Sequence, residues 1–283
     1  MPRNELTIVI NTFNSDEKIY SCLDSINPDL KILVIENSNN VKFKESIEKK
    51  YPNVFCELTG ENLGYAKGNN LGLSKVKSQF ALILNPDTLI EKNTIDNFLH
   101  TALKYNDFAI IAPAIQERKD FDLLKNSKAI KDIIEVDRVK GFAMFLNISQ
   151  FKDVGFFDDN FFIYFEEIDL CRRLKKLNKK IYLDPNVKIN HFGGSSHNQS
   201  INFEMELSRN WHWMWSTFYY HKKYNGFIYG LLKVSTKFFS ALIKVILYSI
   251  LFNKNKKKIY FQRLSGLFNS IIGKKSWYRP KIS

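Results

Sequence analysis

Polar side chains cluster at four points where short apolar runs of the sequence end. In chain order these clusters are Thr12–Ser15, Glu36–Ser38, Asn62–Asn70 and Asn85–Asp87. Each one alone is also what a helix cap or an Asx turn requires, but together they supply several amides and two carboxylates. Glu36 could accept hydrogen bonds from a base or a ribose hydroxyl. Asp87, expected as an exposed acid, could hold a divalent cation that bridges a diphosphate.

Two further clusters place acids or a histidine among neighbours that suit catalysis. The acids Glu166, Glu167 and Asp169 directly follow the apolar run Phe161–Phe165. Acids are ordinary in the first turn of a helix because they complement its dipole, yet a carboxylate beside an apolar wall also suits a general base. His191 lies next to a flexible Gly-Gly pair, which makes it a candidate metal ligand as well as a candidate structural histidine.

Alternating apolar and helical segments predict an α/β domain that positions these clusters. The continuous apolar runs are typical of strands buried on both faces of a parallel sheet: Leu6–Ile10, Ile32–Ile35, Phe80–Leu84 and Phe108–Ala112. Helical spacing lies between them, at 16–26, 42–51, 64–77 and 91–104. We expect a Rossmann-like three-layer fold with a mostly parallel sheet and a ligand at the carboxyl ends of the strands. The sequence has neither GxGxxG after the first strand nor a P-loop, so those two nucleotide fingerprints are absent.

The second half of the chain changes character twice. Polar residues 116–138 predict a loop or short helices, and apolar segments return over 139–192 with a helix at 166–177. From residue 203 the patterns predict three helices, at 203–224, 227–252 and 261–272. We therefore expect an α/β domain at 1–202, with a first part at 1–115 and a second part at 116–202, followed by a helical region at 203–283.

The net charge of +13 belongs to this C-terminal region, where residues 201–283 hold 15 Lys and Arg against two acids. Lys233, Lys237, Ser240 and Lys244 form a narrow polar stripe on an otherwise apolar helix. The pattern predicts amphipathic helices over 226–275 that lie on an anionic membrane surface without crossing it. The alternative is that they pack on the catalytic domain or form a dimer seam. No nucleic-acid partner is expected, because the basic residues edge apolar helices rather than a polar groove.

Cysteine usage and the N-terminus bear on the compartment. The three cysteines are far apart and form no CxxC pair, which favours a reducing compartment. The first residues lack a charged segment followed by an apolar one, so we expect no signal peptide. The expected location is the cytoplasmic face of the cell membrane, as a peripheral protein.

The clusters, taken in order, resemble glycosyltransferase family 2, the inverting GT-A nucleotide-sugar transferases, and within it the rhamnosyltransferase-like branch. The resemblance spans about residues 6–225. Its motifs are Thr12-Phe13-Asn14, Glu36-Asn37-Ser38, Asn62–Asn70, Leu84–Asp87, Gly141–Met144, Gly155–Asp158, Glu166–Leu170, His191–Ser195 and Ser208–Tyr224. The sequence departs from the family pattern at two positions, where Glu36 and Glu167 replace the usual Asp. The charge is the same, but each side chain is one methylene longer.

The resemblance implies a GT-A catalytic domain at 1–202, with a nucleotide-sugar half at 1–115 and an acceptor half at 116–202, and assigns roles to particular residues. Nucleotide-sugar binding falls to Thr12, Asn14, Glu36, Asn37, Asn62, Gly64, Lys67, Asn70 and Asn85. A divalent cation, Mg²⁺ or Mn²⁺, falls to Asp87 and His191. Glu167 is the implied general base, with Glu166 and Asp169 as open alternatives.

The implied reaction transfers a sugar from a nucleoside diphosphate to a hydroxyl group with inversion. dTDP-rhamnose is the first expected donor and UDP-hexose the second. The expected acceptor is a lipid-linked saccharide in cell-surface polysaccharide synthesis. Two alternatives come from other classes, a non-catalytic nucleotide- or membrane-binding module of the same fold and a nucleotidyltransferase. The acids at 166–169 make a non-catalytic module less favoured. The lack of a glycine-rich basic loop after the first strand makes a nucleotidyltransferase less favoured.

Overall fold

The structure is a computed structural model that describes residues 5–16, 18–114, 131–193 and 197–281. The chain divides into two compact units. Unit 1 comprises residues up to 61, 68–156 and 170–197, and unit 2 comprises 62–67, 157–169 and 198 onward. Two expectations lie outside the described residues: the loop or short helices at 116–130, and the segment Gly194 to Ser196 after His191.

Unit 1 is built on a mixed, mostly parallel sheet that has eight strands in the described part of the chain. The strands are β1 (Leu6–Thr12), β2 (Lys31–Glu36), β3 (Val54–Leu58), β4 (Phe80–Leu84), β6 (Phe108–Pro113), β7 (Ile134–Glu135), β8 (Ala143–Asn147) and β9 (Lys180–Asp184). Their spatial order is β3-β2-β1-β4-β8-β6-β9-β7. A separate antiparallel pair joins β5 (Thr88–Ile90) to β10 (Ile189–His191).

The order of the strands creates a topological switch point at β1. Strand β1 pairs in parallel with β2 on one side and with β4 on the other. Ligands of open α/β sheets bind where the strand order reverses, outside the carboxyl ends of the strands. Residues that follow β1, β2 and β4 therefore lie at the edge where the sequence predicts a site.

Helices flank the sheet and also form most of unit 2. They are α1 (Ile19–Asp24), α2 (Val41–Lys50), α3 (Gly64–Ser74), α4 (Thr94–Lys104), α5 (Glu166–Lys176), α6 (Asn202–Asn225), α7 (Phe227–Ile250) and α8 (Lys254–Ile271). The first residues of α3 and of α5 belong to unit 2 and the rest to unit 1. The predicted α/β fold with C-terminal helices is confirmed.

Helices α6, α7 and α8 pack on one another in unit 2. Their shared core contains Met214 and Phe218 from α6, Val234 from α7 and Leu267 from α8. Gly266 lies directly against the backbone of α6, where a side chain would meet the main chain of Trp211. None of the helices in the described ranges is long and apolar enough to span a membrane.

Three short strands escape the sequence patterns. Strand β3 lies at the sheet edge, so Val54 and Cys56 are buried while Phe55 is exposed. The continuous apolar run that predicts the other strands is therefore missing there. Strands β5 and β7 have only three and two residues, too few to show a period, and β7 lies in the segment expected to be loop or helix. Helix α1 is also shorter than its predicted span of 16–26.

Candidate functional site

Predicted nucleotide-binding residues meet at the carboxyl ends of β1 and β2. The Thr12 carbonyl accepts hydrogen bonds from the backbone N–H of Asn37 at 3.0 Å and from its side-chain Nδ2 at 3.1 Å. Asn14 adopts a φ of +48°, and its backbone N–H donates to Ser38 Oγ at 3.1 Å. The Asn14 Nδ2 group is buried with no hydrogen-bond partner in the described residues. Such a donor is normally satisfied by a ligand or a water molecule.

Glu36 closes the turn that follows β2. Its side chain is fully buried, and its carboxylate accepts hydrogen bonds from the Ser38 backbone N–H at 3.0 and 3.1 Å and from the Asn40 backbone N–H at 2.9 Å. The Ser38 hydroxyl donates to the same group. The carboxylate of Glu36 is therefore held by its own turn, at the edge where Thr12 and Asn37 are hydrogen-bonded.

A second group of predicted residues gathers after β4. The Asn85 backbone N–H donates to the Phe142 carbonyl at 2.8 Å. The ring of His191 stacks on that of Phe142, with centroids 4.6 Å apart and planes 13° apart. The His191 Nε2 atom lies 3.5 Å from Asp87 Oδ1. Pairing of β5 with β10 produces this approach, because His191 is the register partner of Thr88.

Asp87 is buried, so the expectation of an exposed acid is wrong. Its side chain is only 2% exposed. Its Oδ1 atom accepts no hydrogen bond from any described residue. A buried carboxylate oxygen without a donor is costly unless a cation or a donor reaches it.

The residues around Asp87 fit a divalent cation. Among the described residues no group of three or more His, Cys, Asp and Glu side chains could hold a metal ion, and the predicted ligands Asp87 and His191 form a pair. Mg²⁺ is commonly bound through one or two protein groups together with substrate phosphates and water. A site of this kind is completed by a diphosphate and does not need a full protein cage.

A cavity of about 350 Å³ opens beside Asp87. It is lined by Lys18, Ser21, Pro86, Asp87, Thr88, Leu89 and Phe192. Its size lies within the range of small-molecule sites. Lys18 brings a positive charge to this cavity, and sequence reasoning missed it because no motif includes it.

The predicted residues Asn62, Gly64 and Lys67 lie in unit 2, at the start of α3. The Asn62 Oδ1 atom accepts a hydrogen bond from the Gly64 backbone N–H at 3.0 Å. The next residue, Tyr65, donates its backbone N–H to the Phe162 carbonyl at 2.7 Å. Lys67 is exposed, and Asn70, further along α3 in unit 1, is half-buried.

Position 64 requires glycine for two reasons, the backbone conformation and the close approach of Phe162. Its φ is +77°, and a Cβ atom there would lie 2.5 Å from the Phe162 carbonyl oxygen. We expect Gly64→Ala to lower the free energy of unfolding by about 2–4 kcal/mol, from backbone strain and overpacking together. Gly60→Ala is the matched control, since Gly60 has φ +76° with nothing within 4 Å. Chemical denaturation of both variants measures the difference, and equal losses would contradict the close approach to Phe162.

The three candidate acids occupy three different environments in unit 2. Glu166 is buried, and its Oε2 atom has no hydrogen-bond partner in the described residues. Burial, and then the charge of Glu167, raise the pKa of Glu166 well above its usual value. Glu167 is half-exposed. Asp169 is fully buried and accepts hydrogen bonds from Lys223 Nζ at 2.5 Å and from the Tyr224 hydroxyl at 2.7 Å.

One further residue of unit 2 touches the predicted motifs without a sequence signal. Arg279 donates from Nε to the Asn62 carbonyl at 2.8 Å. Its guanidinium carbon lies 4.0 Å from the centre of the Phe162 ring. No pattern links a residue near the C-terminus to a motif more than 200 positions earlier, so only the fold reveals this contact.

Comparison with known proteins identifies the family. The sequence profile described as "Glycosyl transferase family 2" matches residues 7–173, more than half of the chain. The chain belongs to glycosyltransferase family 2. This glycosyltransferase is similar to solved GT-A structures, among them a mannosyltransferase from Pyrobaculum calidifontis in complex with GDP-Man and Mn²⁺. That likeness has a TM-score of 0.59 at 12% identity and covers 94% of this chain and 87% of the other.

Curated relatives of the glycosyltransferase carry related names. It is 26% identical over 199 residues to the low-salt glycan biosynthesis hexosyltransferase Agl10 of Haloferax volcanii, covering 63% of this chain and 64% of that protein. It is 25% identical over 247 residues to rhamnosyltransferase WbbL of Escherichia coli, covering 75% and 91%. It is 21% identical over 204 residues to an N-acetylglucosaminyl-diphospho-decaprenol L-rhamnosyltransferase of Mycobacterium tuberculosis, covering 57% and 66%. The chain thus spans less than two thirds of the first and third of these relatives.

Proposed function

We propose that this glycosyltransferase moves L-rhamnose from dTDP-rhamnose to a hydroxyl of a lipid-linked saccharide, with inversion at the anomeric carbon. The observation that carries the proposal is the buried Asp87 carboxylate, which lacks a hydrogen-bond donor on Oδ1 and lies 3.5 Å from His191. Relatives named rhamnosyltransferases support the sugar. A UDP-hexose is the second candidate donor, since another relative is named a hexosyltransferase. Release of dTDP or UDP from a panel of nucleotide sugars distinguishes the two.

The donor is proposed to bind at the carboxyl ends of β1, β2 and β4. Thr12, Asn14, Glu36 and Asn37 form the nucleoside end of this site, and Asn14 contributes the unpartnered Nδ2 donor. Since the Glu36 carboxylate is already hydrogen-bonded by its turn, its main role is to fix that turn. Asn70 and Asn85 of unit 1 belong to the same proposed set, and Asn62, Gly64 and Lys67 of unit 2 remain proposed donor-binding residues.

Asp87 and His191 are proposed to hold a Mg²⁺ or Mn²⁺ ion. When bound, such an ion neutralises negative charge on the departing nucleoside diphosphate. Asp87 is suited to this role because its Oδ1 atom accepts no hydrogen bond from a described residue and the residue lines the cavity. Phe142 fixes the plane of the His191 ring by stacking and so keeps Nε2 directed toward the carboxylate.

Glu167 is proposed as the general base. It removes the proton from the acceptor hydroxyl while that oxygen bonds to the anomeric carbon and the bond to the diphosphate breaks. Glu167 is more accessible than Glu166, and Asp169 is neutralised by Lys223. Glu166 is the alternative base, because burial raises its pKa above the usual carboxyl value and a carboxylate with a higher pKa is a stronger proton acceptor.

An apolar face of α7 is proposed to lie on an anionic lipid surface. Six large side chains on this face are more than half exposed: Ile228, Leu232, Phe239, Ile243, Ile246 and Ile250. The buried residues of the helix are Gly230, Val234 and Ala241. At about 100° per residue, the exposed set points roughly 170° away from the buried set. Packing against α6 and α8 therefore leaves this whole apolar face uncovered within the described part of unit 2.

Charge at the end of this face favours lipid headgroups as its partner. Lys254, Lys256, Lys257 and Lys258 are all exposed where α8 begins. Each lysine near an anionic leaflet contributes about 1 kcal/mol. A lipid-linked acceptor would then be reached at the surface that holds the enzyme. The proposed location is the cytoplasmic face of the membrane, and no nucleic-acid partner is proposed.

We expect the full-length protein to float with phosphatidylglycerol vesicles at low salt. Replacing Ile243, Ile246 and Ile250 with Ser should reduce the bound fraction at least tenfold, since each removes apolar area from the proposed contact. A matched control replaces the exposed Leu103 and Leu177 of unit 1 with Ser. Failure of the parent protein to float, or equal flotation of both variants, would exclude the lipid surface. Resistance to extraction at high pH would instead indicate a true span.

A further inference from the structure

The loop that carries the candidate acids enters α5 through an unusual backbone. Tyr164 and Phe165 adopt φ values of +72° and +71°. Residues with side chains rarely adopt this left-handed region, and two in succession are rarer still. Such outliers persist only when surrounding contacts hold them. They stand immediately before Glu166 and Glu167, so their conformation sets the direction of both carboxylates.

Helix α6 holds the strained residues through side chains on successive turns. The Ser216 hydroxyl donates to the Ile163 carbonyl at 2.9 Å. Trp213 packs edge-on against Tyr164, with ring centroids 5.4 Å apart. Tyr220 packs against Phe165, with centroids 5.1 Å apart.

The last two turns of α6 also fix both ends of this loop. Lys223 Nζ donates to Asp158 Oδ2 at 2.8 Å and to Asp169 Oδ1 at 2.5 Å. The Tyr219 hydroxyl donates to Asp158 at 3.0 Å, and the Tyr224 hydroxyl donates to Asp169 at 2.7 Å. One ammonium group therefore joins two carboxylates that are 11 positions apart in sequence, on either side of the strained pair.

The ion pairs of Lys223 with Asp158 and Asp169 are largely buried. Asp169 is completely buried, and the side chains of Asp158 and Lys223 are 13% and 27% exposed. Burial acts to raise the pKa of Asp158, but hydrogen bonds from Lys223 and Asn160 outweigh it and leave that pKa below its usual value. A buried ion pair with further hydrogen bonds to both carboxylates constrains geometry more than an exposed pair does.

We propose that Lys223 is a positioning residue that clamps residues 158–169 and thereby aims Glu166 and Glu167. This inference rests on the proposed function for its kinetic consequence, although the clamp itself is a structural property. Lys223 does not touch the substrate in this proposal. It acts by holding the two ends of the loop, while α6 supports the middle through Trp213, Ser216 and Tyr220.

The test replaces Lys223 with Met, which keeps the length of the side chain but removes its charge. Lys222→Met is the matched control, because Lys222 is the adjacent lysine of α6 and lies over the ring of Phe227. Lys223→Arg tests rescue, since a guanidinium can donate to both carboxylates. Hydrogen exchange of the amides of 159–168 is measured on all three full-length variants, alongside kcat and the donor KM.

The clamp predicts that Lys223→Met accelerates exchange over 159–168 by about tenfold, while α2 and α4 exchange as in the parent. It also predicts that kcat falls by about 10–100-fold with an unchanged donor KM. In the Lys223→Arg variant, most of the exchange protection and most of kcat should be retained. The proposal is overturned if exchange over the loop is unchanged, or if exchange accelerates across the whole of unit 2. If no donor is turned over by the parent, the proposed function fails, but the exchange comparison still decides whether Lys223 clamps the loop.

Discussion

Asp87→Ala is expected to abolish sugar transfer while the protein stays folded. The substitution removes the only carboxylate among the described residues that lies beside His191. Losing one preorganised electrostatic stabiliser typically costs on the order of 10²–10³ in rate, and the loss of a metal ligand should reach the upper end. Donor binding in the presence of Mg²⁺ or Mn²⁺ should weaken as well. Initial rates at saturating donor, and calorimetric titration of the nucleoside diphosphate with and without the cation, measure both effects.

Stability should survive this substitution for a physical reason that only the structure supplies. Asp87 is buried with an oxygen that accepts no hydrogen bond from a described residue and lies 3.5 Å from His191 Nε2, so Ala removes a poorly satisfied carboxylate. Asp153→Ala is the matched control, because Asp153 is an exposed acid of unit 1. It should leave rate and cation dependence unchanged. Transfer by the Asp87 variant within threefold of the parent would remove this residue from the site.

Glu167→Gln is expected to eliminate turnover while leaving donor affinity nearly unchanged. Gln keeps the size of the side chain but cannot accept the proton of the acceptor hydroxyl. Removal of a general base typically costs about 10²–10⁴ in rate. Single-turnover kinetics gives the chemical step, and the donor Kd is measured in the absence of acceptor.

Glu166→Gln is the neighbouring control and should be milder. Its carboxyl group is buried, and burial together with the Glu167 charge already favours the protonated form, which Gln resembles. If Glu166→Gln costs the larger part of the rate and Glu167→Gln the smaller, Glu166 is the base. Equal, small losses in both would remove the pair from the chemistry.

Much of the fold could be predicted because its central strands are buried on both faces. Strand β4, Phe80–Leu84, is a continuous apolar run with every residue buried, and the predicted bounds are those observed. Strand β3 could not be predicted in this way, since at the sheet edge it buries only alternate side chains. Periodicity reports how many faces are covered, so edge strands and two- or three-residue strands leave little signal.

The residues proposed for the candidate site could be named from the sequence, but their contacts could not. Thr12, Asn37 and Asp87 could be identified because they lie where apolar runs of the sequence end. The approach of His191 to Asp87 depends on β5 pairing with β10, which is a non-local contact between two three-residue strands. Lys223 and Arg279 donate hydrogen bonds to residues that lie far away in sequence, Asp158 and Asn62. Their roles follow from packing in unit 2, which no local pattern encodes.

The most direct measurement of the central claim follows nucleoside diphosphate release and glycosidic product together, with purified full-length protein and a polyprenyl-diphosphate saccharide acceptor. We expect release of dTDP from dTDP-rhamnose, a product of inverted anomeric configuration by NMR, loss of both on chelation of divalent cations, and recovery on adding Mg²⁺ or Mn²⁺. Release of UDP instead would reassign the donor to a UDP-hexose. Absence of turnover with every nucleotide sugar and acceptor, or turnover unaffected by both chelation and Asp87→Ala, would contradict the proposed function.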